Sequence, residues 1–486
     1  MNGPIRRLAF AILVGFILLL LNVTYIQVLR GPTYRADERN PRVLIAKTSK
    51  ERGLVVDRNG EVLARSVADP TDQSAFVREY PFGDAFVHSV GFSSLLFADR
   101  GIEDTYTEQL RSKQDLTISD IVSALLDRDL RPQNVITTLD SGLQLAAINA
   151  LNNQAGSIVA LNPRTGEILA YVSLPSYNPT PLLGSTSGPI GDALDADPAE
   201  PLLNRADSET YAPGSTFKII TTVAALDAGL STPATAYENP IELALPGSTS
   251  VIRNVGLGRC GSGSEVTLAE AFRRSCNTIF GQLALDVGAP QLVVTAQAFG
   301  FNQDIPFEWS VLNSVIPPAS SFSDDQAGLA QTGIGQRDLQ ATPLQMALVA
   351  AGIGNHGTVM APYLVASVAD SDGNVITATE PTIFSQAATA SSAAEVAAMM
   401  VDVVASGTGT NAQISSVTVA GKTGTAETEV GAPHLWFVGF APAENPTIAI
   451  AVIVESGGLS SEGGSGGSVA APIARQVIAQ WLGVSP

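Results

Sequence analysis

Two side chains near the middle of this 486-residue sequence could act together as a nucleophile and its base. A Pro-Gly turn opens onto Ser215, and an apolar run that is compatible with a helix follows over residues 217–226. Serine is favoured at a helix N-terminus, and Lys218, three residues further on, lies on the same helix face. An amine held beside a hydroxyl can take its proton if burial and neighbouring groups lower the pKa of the amine.

Lysine is rare in this sequence, which gives Lys218 added weight. Of the 27 basic residues five are lysines, and the remaining 22 are arginines. Arginine cannot give up its proton near neutral pH, so a retained lysine indicates a group that must lose one. A single Ser-x-x-Lys match is weak evidence, because Ser215 could be a helix cap and Lys218 a solvated residue of the first turn.

Two further motifs occur downstream of this pair. They are Ser275-Cys276-Asn277 and Lys422-Thr423-Gly424-Thr425. Motifs of the types Ser-x-x-Lys, Ser-x-Asn and Lys-Thr-Gly occur together in penicillin-binding proteins and class A β-lactamases. The sequence resembles this superfamily, and within it the short class B penicillin-binding proteins of the actinobacterial PbpA type.

The resemblance implies a role for each residue of the first two motifs. Ser215 would be the nucleophile, and Lys218 would act on it as a neutral general base. Ser275 would pass a proton from that amine to the departing amine. Asn277 would hydrogen-bond an amide of the donor peptide, because residues at i and i+2 of a turn can both reach one cleft.

The third motif would bind the substrate. Lys422 would supply positive potential, and Thr423 and Thr425, on one face of a strand, could meet a substrate carboxylate. Gly424 would let a peptide approach the strand without a Cβ in its path. The backbone N–H groups of Ser215 and Thr425 would form the oxyanion hole.

The function implied by the resemblance is peptidoglycan cross-linking by a monofunctional D,D-transpeptidase. The terminal D-Ala-D-Ala of a stem peptide would acylate Ser215, and the amine of a second stem peptide would then attack the acyl-enzyme. β-Lactams would be covalent inhibitors, and a SEDS-type glycosyltransferase is the expected partner. Neither metal nor cofactor is expected, since the three histidines, His88, His356 and His434, lack ligand spacing.

Other functions stay open at this point. A D,D-carboxypeptidase and a β-lactamase-like hydrolase would use the same acyl-enzyme but transfer it to water. A β-lactam sensor, or a structural protein of the divisome or elongasome, would keep the fold without turnover. Intact Ser215, Lys218 and Lys422 argue against an inactive protein, and the few residues before the apolar run leave no room for a sensor's output domain.

Composition and the N-terminal segment predict the compartment. A net charge of −19 without a basic patch argues against nucleic acid as a partner. Arg6 and Arg7 precede an uncharged run over residues 8–29, which is long enough for one transmembrane helix. Arginines flank both ends of the run, so charge does not fix the orientation. The substrate implied by the resemblance is extracytoplasmic, so the catalytic domain should lie outside the membrane. The N-terminus is therefore predicted to be cytoplasmic.

The predicted fold class is α+β. It consists of a cytoplasmic stub and anchor (1–30), a small pedestal domain (31–148) and a penicillin-binding transpeptidase domain (149–486). The last domain should combine an antiparallel sheet, flanked by helices, with an all-helical subdomain. Apolar, β-branched runs predict strands at 156–161, 167–172, 417–425, 435–440 and 447–454. The Gly-Thr repeat at 407–410 predicts a loop, and the Gly/Ser-rich segment Ser456–Ser468 predicts a flexible surface loop.

The two cysteines of the sequence, Cys260 and Cys276, are predicted to form a disulfide. Both lie in the part of the chain placed outside the membrane, where disulfides can persist. If Ser275 and Asn277 face the cleft, the side chain of Cys276 should point away from it. The bridge would then fix the catalytic turn from behind. The alternative is a pair of buried free thiols.

Overall fold

Two multistranded sheets organise the part of the chain that the computed structural model describes. The described residues are 2–31, 34, 51–70, 72, 75–111, 131–184, 187–428, 431–459 and 464–486. The combination of these sheets with helices is the predicted α+β class. Residues 35–50 and 112–130 of the predicted pedestal and residues 460–463 of the predicted surface loop lie outside this description.

A five-stranded antiparallel sheet, called the catalytic sheet below, carries the third motif. Its strands are, in spatial order, Ala420–Ala426, His434–Ala441, Ile448–Val454, Gly156–Leu161 and Ile168–Leu174. They correspond to the five strands predicted from the sequence. The two earlier strands join the three later ones through the pairing of Gly156–Leu161 with Ile448–Val454. The strand Ile448–Val454 is buried along its whole length, as its continuous apolar run predicts. Lys422 therefore lies on an edge strand, which leaves one side of that strand unpaired.

Helices cover both faces of the catalytic sheet. The helix Pro343–Gly354, buried at all twelve positions, packs on one face. The helices Ser141–Leu151 and Ala471–Leu482 pack on the other. Alternate strand residues therefore enter two separate apolar cores: Trp436, for example, belongs to one and Phe437 to the other.

A mostly helical region between the strands supplies the first two motifs. Its helices are Lys218–Asp227, Leu268–Arg274, Asn277–Val287, Ala289–Ala298, Gln326–Thr332 and Ala390–Ser406. Three two-stranded antiparallel sheets accompany them: Ala236–Glu238 with Glu265–Thr267, Glu242–Ala244 with Val251–Arg253, and Thr358–Met360 with Ile383–Gln386. The helical layer faces the edge strand of the catalytic sheet, and a cleft between them is the place where the motifs can meet.

The second sheet has six strands and draws on two distant parts of the chain. In spatial order they are Val375–Ala378, Val365–Ala369, Asn134–Thr137, Val55–Val56, Val62–Ala68 and Phe76–Glu79. Val55–Val56 and Val62–Ala68 form a hairpin around the Asn59-Gly60 turn, a dipeptide that favours such turns. The first two strands come from residues beyond 360, so the pedestal sheet is completed by a hairpin of the later region. A domain boundary at residue 148 alone therefore separates strands that belong to the same sheet.

The other α-helices among the described residues are Asn2–Thr24, Ile102–Thr105, Thr107–Leu110 and Gly188–Asp195. The first continues as a π-helical segment, Tyr25–Arg30. These two segments form one apolar helix over Gly3–Arg30, which is long enough to cross a bilayer and whose residues are exposed in the structure. This arrangement fits a single-pass membrane protein.

One sequence-based expectation needs correction. The segment Ser456–Ser468 is not simply a flexible surface loop, because its later part forms a π-helical turn, Gly466–Ala470, with Gly466 and Gly467 buried. A Cβ at Gly466 would lie 2.2 Å from the carbonyl oxygen of Trp436 and 2.3 Å from that of Gly424. The glycines that suggested flexibility instead permit close packing onto the catalytic sheet.

Candidate active site

The turn that carries Ser215 is held in place by glycine contacts. Gly214 has φ 54°, a left-handed conformation that glycine adopts readily, and its N–H donates to the Gly335 carbonyl at 2.8 Å. A Cβ at Gly335 would lie 1.8 Å from the Gly214 carbonyl oxygen, so both positions need glycine. Ser215 follows in the short 3₁₀-helix Gly214–Phe217, which leads into the helix Lys218–Asp227. Its N–H is in the first turn, where helical N–H groups lack intrahelical partners.

Arg337, two residues after Gly335, also has a left-handed backbone, with φ 69°. The Arg337 guanidinium pairs with the Asp325 carboxylate at 2.6 Å, and this contact holds the strained residue in place. The ion pair therefore supports the turn that carries Gly335.

Lys218 is fully buried, and its amine points at the second motif. Its Nζ donates to the Ser275 carbonyl at 2.8 Å and to Asn277 Oδ1 at 2.7 Å, and it lies 3.2 Å from Ser275 Oγ. Among the described residues, the Ser215 hydroxyl has no hydrogen-bond partner. The predicted Lys218–Ser215 contact is therefore not formed here, although Lys218 lies one helical turn away; such contacts often tighten only when substrate is bound.

Lys422 reaches the same serine from the opposite side. Its Nζ lies 2.9 Å from Ser275 Oγ and 3.1 Å from the Thr423 carbonyl oxygen, and the side chain is fully buried. Ser275 Oγ therefore sits between two amines that come from a helix and from the sheet edge. This is the junction at which all three motifs meet.

Burial governs the protonation of both amines. Desolvation lowers the pKa of Lys218 well below its usual value, and the neighbouring charge of Lys422 lowers it further. Desolvation lowers the pKa of Lys422 to about 7. Two buried like charges near one hydroxyl are unfavourable, so the neutral amine is the stable form of Lys218 when Lys422 is charged. A neutral Lys218 is what general-base chemistry requires.

The second motif is a turn between two helices. Ser275 ends the helix Leu268–Arg274 in a left-handed conformation, φ 61° and ψ 44°, and Asn277 begins the next helix. Asn277 Nδ2 donates to the Arg253 carbonyl at 3.0 Å, while its Oδ1 accepts from Lys218. Both ends of the Asn277 amide already have a partner in the protein. One N–H and one lone pair remain for a substrate amide.

Cys276 points away from the cleft, between two residues that face it. It is bonded to Cys260, with the two Cα atoms 5.7 Å apart, a separation within the normal range for a disulfide. The side-chain amide of Asn239 holds the other end, since it bonds the Cys260 carbonyl at 3.0 Å and the Cys260 N–H at 2.9 Å. The bridge ties the Ser275 turn to the preceding loop.

The third motif presents alternate residues to opposite faces of the edge strand. A Cβ at Gly424 would lie 2.9 Å from the Pro213 carbonyl oxygen, so this glycine lets the strand approach the Ser215 turn. Thr423 Oγ1 lies 2.6 Å from Thr408 Oγ1, and Thr425 Oγ1 accepts from the Gly466 N–H at 3.5 Å. The two hydroxyls therefore share a face, as strand alternation predicts.

Sequence reasoning missed two contributors to this site. Thr408 belongs to the Gly-Thr repeat that was interpreted only as a loop, and Gly466 belongs to the segment interpreted as flexible. No local signal places either of them at the third motif, because the contacts span 15 and 41 residues. The sequence hint for Thr408 is the glycine on each side of it, at positions 407 and 409. Within the described ranges, no cluster of three His, Cys, Asp or Glu side chains could hold a metal.

Comparisons with known proteins agree with this geometry. Residues 156–479 match the family model of the penicillin binding protein transpeptidase domain, and residues 52–135 match that of the penicillin binding protein A dimerisation domain. The chain is 42% identical to the peptidoglycan D,D-transpeptidase PbpA of Mycolicibacterium smegmatis, with 99% of each chain covered.

Solved structures of a second relative show the same fold. Penicillin-binding protein A of M. tuberculosis, as its ceftriaxone acyl-enzyme, superimposes with a TM-score of 0.83 at 37% identity, covering 90% of this chain and 99% of that one. Its penicillin G acyl-enzyme gives a TM-score of 0.82 at 38% identity, covering 89% and 100%.

A serine at a helix start, two buried amines and a sheet edge define the class of serine acyl-transferring enzymes. The chain belongs to the penicillin-binding protein transpeptidase family. This membership confirms the predicted fold class and the predicted enzyme class, a serine-type D,D-transpeptidase.

Proposed function

We propose that this chain is a monofunctional peptidoglycan D,D-transpeptidase that works through an acyl-enzyme on Ser215. The observation that supports this proposal best is the position of Ser275 Oγ, 3.2 Å from the Lys218 amine and 2.9 Å from the Lys422 amine. The Ser275 hydroxyl can accept a proton from the Lys218 amine and pass its own proton to a leaving nitrogen, while the Lys422 amine holds it in place. Acyl transfer needs such a path because the leaving amine must gain a proton.

In the acylation step, neutral Lys218 takes the proton of the Ser215 hydroxyl. Its two short contacts, to the Ser275 carbonyl and to Asn277 Oδ1, occupy the two N–H bonds of a neutral amine, which leaves its lone pair to accept. Ser215 Oγ then bonds to the carbonyl carbon of the penultimate D-Ala. The oxyanion is bound by the N–H groups of Ser215 and Thr425.

The tetrahedral intermediate collapses when its C–N bond breaks. The proton held by Lys218 passes through the Ser275 hydroxyl to the departing nitrogen, and D-Ala leaves with a neutral amine. An ester on Ser215 remains. A β-lactam acylates by the same steps, but its leaving nitrogen stays attached through the opened ring, so it cannot diffuse away.

In the second step the amine of another stem peptide attacks the Ser215 ester. Its surplus proton returns through Ser275 and Lys218 to Ser215 Oγ, and the new amide is the cross-link. One amide bond is broken and one is formed, so no external energy source is required. Lys422, Thr423 and Thr425 would bind the terminal carboxylate of the donor, and Asn277 would bind its amide.

The domain organisation proposed from the sequence fits this role. Residues 1–30 would be the cytoplasmic stub and anchor, residues 31–148 the pedestal, and residues 149–486 the transpeptidase domain. The active site would then lie outside the membrane with its peptidoglycan substrate. No glycosyltransferase domain is assigned to any of these segments, and a SEDS-type glycosyltransferase would supply the glycan strands.

Hydrolysis is the competing outcome, because water could take the acyl group from Ser215. Efficient hydrolysis by a class A β-lactamase uses an added glutamate to activate water. Among the described residues, no carboxylate forms a hydrogen bond or ion pair with Ser215, Lys218 or Lys422. This favours a peptide amine as the acceptor.

The decisive experiment uses the purified full-length protein with lipid II and a peptidoglycan polymerase. Mass spectrometry should find cross-linked muropeptides with the parent protein and none with Ser215→Ala, while thermal unfolding shows that the variant is folded. Trimmed monomers without dimers would replace the proposal by a carboxypeptidase. Undiminished labelling of Ser215→Ala by a fluorescent penicillin would refute the assignment of the nucleophile.

A further inference from the structure

The loop Gly407-Thr408-Gly409 touches the third motif at a single side chain. The Oγ1 atoms of Thr408 and Thr423 are 2.6 Å apart, a short hydroxyl–hydroxyl hydrogen bond. Thr408 is exposed, whereas Thr423 is buried with only 6% of its surface accessible. The exposed Thr408 is therefore hydrogen-bonded to the buried Thr423 hydroxyl, which would bind substrate on the edge strand.

The backbone around Thr408 is tightly fixed. The N–H groups of Gly407 and Gly409 both donate to the Val403 carbonyl at 3.0 Å, which ends the helix Ala390–Ser406. A Cβ at Gly467 would lie 2.2 Å from the Thr408 carbonyl oxygen. These contacts hold the loop as a rigid support, which is what a positioning group requires.

The same loop is also joined to the helix Leu268–Arg274, which leads into the second motif. A Cβ at Gly407 would lie 2.5 Å from the Arg273 carbonyl oxygen, and Arg273 Nη1 donates to the Ser406 carbonyl at 2.6 Å. Arg273 is two residues before Ser275. Thr408 thus occupies a fixed place relative to both the proton-transfer turn and the edge strand.

The number of protons on each hydroxyl determines which threonine donates this hydrogen bond when a substrate carboxylate is bound. A threonine hydroxyl has one proton to donate and two lone pairs that accept. When Thr423 donates its proton to a carboxylate, the bond between the two threonines persists only with Thr408 as the donor. A chain of two such bonds orients the second hydroxyl and polarises it toward the anion.

We infer that Thr408 is a positioning residue that orients the Thr423 hydroxyl toward the terminal carboxylate of the donor peptide or β-lactam. The inference rests on the proposed function, because it specifies how that site selects an anionic donor. Thr408 acts through Thr423 and needs no contact with the reacting atoms.

The test measures the acylation of the full-length protein in detergent by benzylpenicillin and by its methyl ester, which lacks the carboxylate. The parent protein should prefer the acid. Thr408→Val, which keeps the shape without the hydroxyl, should lower the second-order rate constant for the acid about tenfold and leave that for the ester within about twofold. Thr408→Ser, which keeps the hydroxyl, should retain most of the preference.

A coupling experiment separates the possible outcomes. If Thr408 acts through Thr423, adding Thr408→Val to Thr423→Val should cost little more than Thr423→Val alone. Additive losses, or an equal loss for acid and ester, would overturn the inference. Failure of the parent protein to be acylated at all would instead overturn the proposed function. Thermal unfolding of each variant, with Thr408→Ala as a second substitution, checks that the fold is retained.

Discussion

The pedestal and the active site each bury charged side chains, but with opposite consequences. In the pedestal, the fully buried Glu103 carboxylate pairs with Arg52 Nε at 2.5 Å and with Arg78 Nε at 2.6 Å. In the active site, Lys218 and Lys422 are equally buried and share Ser275 Oγ. Among the described residues, no carboxylate pairs with either amine. The buried charge of the pedestal cluster is thus compensated by opposite charges, whereas the charge of the two active-site amines is uncompensated.

The pKa directions follow from this difference. Burial alone would raise the pKa of Glu103, but the charges of Arg78 and Arg52 and their hydrogen bonds lower it. Burial lowers the pKa of Lys218, and the like charge of Lys422 acts in the same direction. A compensated buried charge stays ionised and fixes structure, whereas an uncompensated one becomes neutral and reactive.

The largest effect is expected from Lys218→Arg, which restores a permanent charge in the uncompensated cluster. Arginine keeps the positive charge but cannot act as a base, so acylation by fluorescent penicillin should fall at least about a hundredfold. Lys422→Arg, a change of the same size in the same cluster, should lose less. Acylation of the Lys218→Arg protein near the parent rate would mean that the base lies elsewhere.

Glu103→Gln would turn the pedestal cluster into an uncompensated one. Two guanidinium groups, on side chains only 11% and 5% exposed, would lose their counter-charge, and the free energy of unfolding should fall by about 3 kcal/mol or more. Urea titration monitored by circular dichroism gives this value. The acylation rate of the folded fraction should stay unchanged, because this cluster stabilises the pedestal and takes no part in acylation. A parallel loss of acylation would show that the pedestal cluster also supports the active site.

Among the described residues, no carboxylate pairs with the two amines at the Ser275 turn, and the Cys260–Cys276 bridge is expected to help fix that turn. Thiol titration of the unreduced, denatured protein should find no free thiol. Replacing both cysteines by alanine opens a loop with a sequence separation of 16 residues and should cost about 2–3 kcal/mol of stability. Two titratable thiols in the parent protein would show that the cysteines are free.

The uncompensated amines should also make stability depend on pH. Lys422 has a pKa of about 7 in the fold against an ordinary value of 10.5. Between these values the unfolded chain binds more protons, so the free energy of unfolding should rise with pH, by at most about 1.4 kcal/mol per pH unit from this group. Thermal unfolding of Lys422→Met from pH 7 to 10 should give a flatter profile; an unchanged slope would contradict the assignment.

The smallest effect is expected at an exposed ion pair of the pedestal sheet. Arg65 Nε and Glu79 Oε2 are 2.6 Å apart, but both side chains are more than two-fifths exposed. Solvent screens such pairs, so Glu79→Gln should leave the free energy of unfolding nearly unchanged. This substitution is the matched control for Glu103→Gln. A loss as large as that of Glu103→Gln would show that burial is not what separates the two pairs.

Much of the fold follows from the sequence because the signals are local. The strands predicted at 435–440 and 447–454 agree with the observed strands within one residue at each end, because apolar runs rich in aromatic and β-branched residues indicate buried strands directly. The three motifs identified the family, and the structure brings Ser275, Lys218 and Lys422 into contact. Each motif carries its own local geometry, so short stretches were enough.

Only the tertiary structure decided how distant segments share one site. The hairpin Val365–Ala369 and Val375–Ala378 completes the pedestal sheet, although its sequence is equally compatible with the catalytic domain. Thr408 and Gly466 reach the third motif through contacts that no periodicity encodes. Gly424 and Gly335 are glycines because another backbone passes within 3 Å of their missing Cβ. A sequence determines the types and spacing of its groups, whereas close approach between segments depends on packing of the whole chain.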